Sequence, residues 1–187
     1  MCIDTVARAH VFQHCVGHPR RASLAPLDAA EFYRRALSFQ ADHVPALSAY
    51  ARILHDFGEA AKARRVAEAT LERDADNVEA LVVAGSVDRD TGNLVRAKER
   101  CDRAVELDAK SVPALFALAR TLAASGSGPA AMQTYGRVLG LLPDDPLALY
   151  ERGAVAAHLD LDKQAWADWD KAFQQQPEWK RDFNGGF

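Results

Sequence analysis

The chain has 187 residues, of which 49% are hydrophobic and 26% are charged, a composition typical of a folded protein. Its net charge of -3 favours neither nucleic acid nor an anionic membrane as a partner. No apolar run approaches the roughly 18 residues of a membrane helix, and the first residues lack the apolar core of a secretory signal. The three cysteines are too few for a disulfide framework, so we expect a reducing, cytoplasmic setting.

The N-terminal segment contains a cluster of histidines beside a cysteine. A helix predicted over residues 5–17 brings side chains four positions apart onto one face, where two imidazoles can chelate zinc or another divalent ion. One hypothesis is therefore a metal site, and the other is that the histidines line an incomplete first repeat. We expect no cofactor. The residues of the cluster are His10, His14, Cys15 and His18.

From residue 44 the chain repeats itself with a period of 34 residues. Each period predicts a first helix and, after a short turn, a second helix, for example over residues 78–91 and 94–107. A glycine occupies the turn where a left-handed residue is needed, and a column of alanines marks the close approach of the helices. A period of this length indicates stacked helical units. The glycines are Gly58, Gly92 and Gly126, and the alanines are Ala63, Ala97, Ala131 and Ala165.

These columns resemble the tetratricopeptide repeat family, which has a small residue at position 8, alanine at position 20 and an aromatic residue at position 24. Gly85 and Gly153 match position 8, and Tyr135 and Trp169 match position 24, whereas Cys101 departs from it. The resemblance implies an all-α, right-handed α-solenoid of about five helix-turn-helix units. It divides the chain into an N-terminal helix and a degenerate first unit at 1–43, four contiguous units at 44–177, and a tail or truncated capping helix at 178–187.

Three residues depart from the repeat pattern in other ways. Asp88 occupies a position where the family usually has a large residue, Arg152 occupies a usually apolar position, and Asp160 replaces the turn glycine. We expect simple tolerance of polar residues at a surface or an edge there, with a specific role as the alternative.

The first helices line a concave groove in proteins of this family, and the resemblance carries that role onto nine residues. The arginines among them could clamp carboxylates, and the aromatic rings could hold apolar side chains. A peptide with acidic groups is therefore the expected partner, and the alternative is that these arginines are merely solvated. The groove residues are Ser48, Arg52, His55, Val82, Ser86, Arg89, Phe116, Arg120 and Tyr150.

No catalytic motif is found in the sequence, so we expect no enzyme activity. The predicted function is that of a protein-interaction module, an adaptor or scaffold that binds a peptide or protein segment. The alternative is an N-terminal accessory region of a larger enzyme, such as a bacterial glycosyltransferase or sulfotransferase. Trp166, Trp169 and Phe173 make the C-terminal end aromatic, so we expect the tail or another chain, for example in a homodimer, to cover them.

Overall fold

The computed structural model describes residues 33–34, 37–38 and 42–184, with side chains described through Lys180. All regular secondary structure in these residues is helical. The predicted all-α fold of successive helix-turn-helix units is therefore confirmed. The helices from residue 42 onward are α1 (Val44–Asp56), α2 (Ala60–Leu71), α3 (Val78–Asp90), α4 (Leu94–Leu107), α5 (Val112–Ala124), α6 (Gly128–Leu141), α7 (Pro146–His158), α8 (Asp162–Gln175) and α9 (Pro177–Asn184).

The chain divides into two compact units, whose described parts are residues 33–34, 37–38 and 42–124 in one and residues 125–184 in the other. In the first unit each helix packs on the next, and the first helices α1, α3 and α5 also pack side by side. In the second unit α7 packs between α6 and α8, and α9 packs on α8. The predicted boundaries at residues 43 and 177 follow from the repeat register and stay a prediction.

Local side-chain chemistry explains why the helices begin and end where they do. The side chains of Asn77 and Asp145 accept hydrogen bonds from backbone N–H groups in the first turns of α3 and α7, at 3.0 and 2.7 Å. The turn glycine Gly92 has a φ of +81°. Asp160, which replaces the glycine of the last unit, has a φ of +59°, a left-handed conformation that aspartate tolerates better than most residues.

The alanine column of position 20 lies inside the helix packing. All four alanines are completely buried, as predicted from the repeat. Ala97 and Ala131 stand in the middle of this column, one in each unit, so a larger side chain at either position has no space to occupy.

We expected Asp88 and Arg152 to be polar residues tolerated at a surface or an edge. This expectation is wrong for Asp88, and for Arg152 it misses an ion pair with a buried carboxylate. Asp88 is fully buried in the last turn of α3. Arg152 donates two hydrogen bonds to the buried carboxylate of Asp168, at 2.8 and 2.7 Å. Both departures therefore place a charge inside the helix packing, where an oppositely charged partner balances it.

The tail covers part of the aromatic C-terminal end. Trp169 and Phe173 are buried in the core of the second unit, and Trp179 of α9 packs against their cluster. Trp166 remains 46% exposed, with its ring edge-on to Trp169.

Candidate functional site

Six of the predicted groove residues lie on the first helices of the unit formed by residues 42–124, and we call this set the first-helix face. Because α1, α3 and α5 pack side by side, residues at matching positions of the repeat lie in neighbouring rows. All six are partly or fully exposed. The first-helix face consists of Arg52 and His55 on α1, Val82 and Arg89 on α3, and Phe116 and Arg120 on α5.

Two serines of the predicted groove are not part of this face. Ser48 is 3% exposed and Ser86 is 7% exposed. The hydroxyl of Ser48 donates to the carbonyl oxygen of Pro45 at 3.2 Å, within its own helix. Neither serine is presented at the surface, because both lie on the sides of their helices that pack in the core.

Tyr150 lies on α7, in the unit formed by residues 125–184, and packs into the aromatic cluster of that unit. Its ring centroid is 6.2 Å from that of Phe173 and 5.4 Å from that of Trp179. Its carbonyl oxygen accepts a hydrogen bond from Nε1 of Trp169 at 3.1 Å. These contacts give Tyr150 a packing role, so we do not include it in the first-helix face.

Arg52 joins α1 to α3 through a carboxylate of the chain itself. Its Nε donates to Oε1 of Glu79 at 2.8 Å, and its Nη1 lies 3.5 Å from Oδ2 of Asp56. The i,i+4 spacing of Arg52 and Asp56 could have been read from the sequence, whereas the pair with Glu79 depends on how the two helices pack.

A second link between α1 and α3 is centred on Asp90. Nε2 of His55 lies 3.3 Å from Oδ2 of Asp90, and Arg89 donates to Oδ1 from Nε and Nη2 at 3.0 and 2.7 Å. Burial by itself would raise the pKa of Asp90, but the hydrogen bond to His55 and the positive charge of Arg89 together lower it below its usual value. Asp90 is therefore ionised at neutral pH, and it holds both partners.

On α5 the first-helix face combines an aromatic ring with a cation. Cζ of Arg120 lies 5.3 Å from the ring centroid of Phe116, which is cation–π geometry. The two residues are four positions apart, so they lie on the same side of the helix. A ligand here would meet apolar ring surface and a guanidinium group together.

The charges of this region balance. Arg52, Arg89 and Arg120 contribute three positive charges, and the carboxylates among them, Asp56, Glu79 and Asp90, contribute three negative charges, which leaves a net charge of 3 − 3 = 0. The sequence predicted the arginines but not the carboxylates beside them. An acidic ligand would therefore be bound by exchange of ion pairs and not by a general positive potential.

The histidine and cysteine cluster, His10, His14, Cys15 and His18, lies outside the described residues. In the part of the chain that the structure describes, no three His, Cys, Asp or Glu side chains are grouped as metal ligands. No helix there is both long and apolar enough to span a bilayer.

Comparisons with known proteins support the fold of successive helix-turn-helix units. The sequence matches the tetratricopeptide repeat family over residues 89–152. MamA from Desulfovibrio magneticus is 16% identical, with a TM-score of 0.67 over 95% of this chain and 98% of that one. YrrB, described as a TPR protein with an unusual peptide-binding site, is 24% identical, with a TM-score of 0.62 over 82% of this chain and 79% of that one.

A tetratricopeptide repeat protein from Parabacteroides merdae is 21% identical, with a TM-score of 0.66 over 91% of this chain and 66% of that one. A comparison with curated proteins found no match. Likeness at this level of identity shows the fold. The tetratricopeptide repeat model therefore matches residues 89–152, and these solved structures share the fold of this chain.

Proposed function

We propose that the chain is a non-catalytic interaction module of the cytoplasm, an adaptor or scaffold that binds a peptide or protein segment along the first-helix face. The observation that carries this proposal is the partly exposed pair of Phe116 and Arg120 on α5, beside α3 and its charged residues. An aromatic ring and a guanidinium side by side are typical anchors for a partner chain. The peptide-binding site described for YrrB supports the same use of the fold.

The proposed partner segment is extended or helical and carries apolar and acidic side chains. Neighbouring helices pack about 8–10 Å apart, so Arg52 and Arg120 should be roughly 20 Å apart across α1, α3 and α5. An extended segment of about six residues, at about 3.3 Å per residue, spans that distance. Phe116 would hold an apolar side chain, while the two arginines would hold carboxylates.

A carboxylate that binds Arg52 competes with Glu79 for the guanidinium group. The side chains of this pair are 51% and 37% exposed, and ion pairs of that kind contribute about 0–1 kcal/mol. The exchange is therefore inexpensive in free energy. It also implies that Glu79→Gln should strengthen the binding of an acidic segment, because the substitution removes the competing carboxylate.

The test begins with peptides selected from a random library on the immobilised protein. Calorimetry then measures the Kd of the best peptide for the wild type and its variants. We expect Arg120→Glu to weaken binding about tenfold or more, which corresponds to about 1.4 kcal/mol. Phe116→Ala should also weaken binding, with less dependence on salt, because it removes apolar contact and not charge.

The matched control is Arg65→Glu, an equal change of charge at an exposed position of the second helix α2. It should change the Kd by no more than about twofold, since salt screens exposed charges at a distance. If Arg65→Glu abolishes binding while Arg120→Glu and Phe116→Ala are tolerated, the partner uses the second-helix side and the proposed site is wrong.

A further inference from the structure

Three arginines from two second helices converge on the buried carboxylate of Asp88. Nη2 of Arg64, on α2, lies 3.0 Å from Oδ1, although the angle falls short of a full hydrogen bond. On α4, Nη1 of Arg100 donates to Oδ2 at 2.8 Å, and Nε of Arg96 lies 3.7 Å from the same oxygen. We call Arg64, Arg96 and Arg100 the arginine cluster.

The arginine cluster has one positive charge more than the carboxylates that it contacts. Glu68 accepts hydrogen bonds from both Arg96 and Arg100, so the group holds three guanidinium ions and two carboxylates. Arg100 is only 11% exposed and serves both carboxylates. The more accessible members of the arginine cluster are Arg64 and Arg96, whose side chains are 35% and 48% exposed, so a ligand would meet the excess charge there.

Both partly exposed arginines have hydrogen-bond donors left over. Nη2 of Arg64 is used by Asp88 and by the hydroxyl oxygen of Thr91 at 2.9 Å, and Nη2 of Arg96 is used by Glu68 at 3.0 Å. Among the described residues, no hydrogen bond engages Nη1 of Arg64 or of Arg96; Nη1 of Arg64 is not buried, and the side chain of Arg96 is 48% exposed. Their N–H groups therefore face solvent and can accommodate an acceptor.

The buried aspartate also preorganises these donors. Asp88 is inaccessible to water, so its charge holds the surrounding guanidinium groups in place and reduces the side-chain entropy that a ligand must remove. A ligand with one or two negative charges and several acceptor oxygens complements the excess charge and the donors of two guanidinium groups. We propose that Arg64 and Arg96 bind a phosphate-type oxyanion on the second-helix side, either free phosphate or a phosphorylated side chain of a partner.

This site is separate from the first-helix face and does not depend on the proposed function. The full chain is titrated with inorganic phosphate while the ionic strength is held constant with chloride, and binding is followed through the arginine Nε–H signals in NMR spectra. We expect saturable binding at one site. Arg64→Gln and Arg96→Gln should each weaken it about tenfold, as expected for the loss of one charge-assisted interaction.

Two further variants separate a specific site from a general effect of charge. Glu68→Gln should strengthen binding severalfold, because it removes a carboxylate that competes for Arg96. Arg103→Gln, at an exposed arginine of α4 that pairs with Asp76, should leave the affinity unchanged. Binding that does not saturate, or an equal loss in Arg103→Gln, would overturn the proposal. If Arg64→Gln does not fold, the proposal is tested by Arg96→Gln, since Arg96 is half exposed.

A second arm identifies the source of the oxyanion. A phosphoserine peptide with uncharged flanking residues is compared with its unphosphorylated form and with inorganic phosphate. Binding of the phosphopeptide at least tenfold tighter than phosphate supports a phosphorylated partner, and equal affinities support the free ion. If neither probe binds, no oxyanion site exists here.

Discussion

Gly153 of α7 lies directly against the indole ring of Trp169 on α8. A methyl group on Gly153 would be only 2.7 Å from both Cδ1 and Nε1 of the indole, closer than nonbonded atoms approach. The ring cannot easily move, because it is completely buried and its Nε1 donates to the carbonyl oxygen of Tyr150. The glycine at position 8 therefore makes room for the tryptophan at position 24.

Gly153→Ala should consequently destabilise the protein by about 1–3 kcal/mol, the usual effect of overpacking a core. Urea denaturation followed by circular dichroism measures the change. The double variant Gly153→Ala/Trp169→Tyr recreates the alanine and tyrosine that Ala119 and Tyr135 supply in the preceding unit, so it should recover part of the loss. A neutral Gly153→Ala would contradict the proposed close packing.

Asp88→Ala should cost about 3–5 kcal/mol of stability, because it leaves the nearly buried Arg100 without one of its two carboxylates. The control is Asp76→Ala, which removes the exposed partner of Arg103 and should cost no more than about 1 kcal/mol. Urea denaturation with an unchanged m-value gives both figures. If both variants lose the same small amount of stability, the buried ion pairs of Asp88 contribute no more than the exposed pair of Asp76.

The stability of the protein should depend on pH through Asp90. Its folded pKa is lowered from the ordinary value of 3.8, so the folded state binds fewer protons than the unfolded state in the window just around and below that value. The stabilisation is therefore complete above about pH 5 and is lost as the pH falls through the folded pKa. Melting temperatures of the wild type and Asp90→Asn should differ at pH 6 and converge towards pH 3. A difference that stays constant over this range would rule out titration of Asp90 as its source.

Cys101 should be unreactive in the folded protein. Burial raises the pKa of its thiol to about 11, although the hydroxyl of Thr121, 3.8 Å from the sulfur, opposes this slightly. A variant with Cys2→Ser and Cys15→Ser leaves it as the single thiol. At neutral pH a thiol reagent should modify this variant only when urea unfolds it, which absorbance can follow. Rapid modification without denaturant would show that Cys101 is exposed.

From residue 42 onward, the sequence by itself determined the order of the helices and placed most of their ends close to the observed ones. The predicted helix at residues 94–107 is observed as Leu94–Leu107, and the one at 78–91 as Val78–Asp90. Capping residues, turn glycines and apolar periodicity act within a few positions of the chain, and a 34-residue period repeats these local signals. The positions of the buried alanines follow from the same register.

Only the tertiary structure decided which charges meet. Three ion pairs each join helices of neighbouring repeats, between residues 24 to 35 positions apart in the sequence. They are Arg52 with Glu79, His55 with Asp90, and Arg64 with Asp88. Whether an arginine is solvated, paired or beside a buried carboxylate depends on the rotation and spacing of two packed helices, and a sequence pattern does not contain that information. Packing therefore buried Asp88, placed carboxylates beside arginines of the first-helix face and left Arg64 and Arg96 partly exposed.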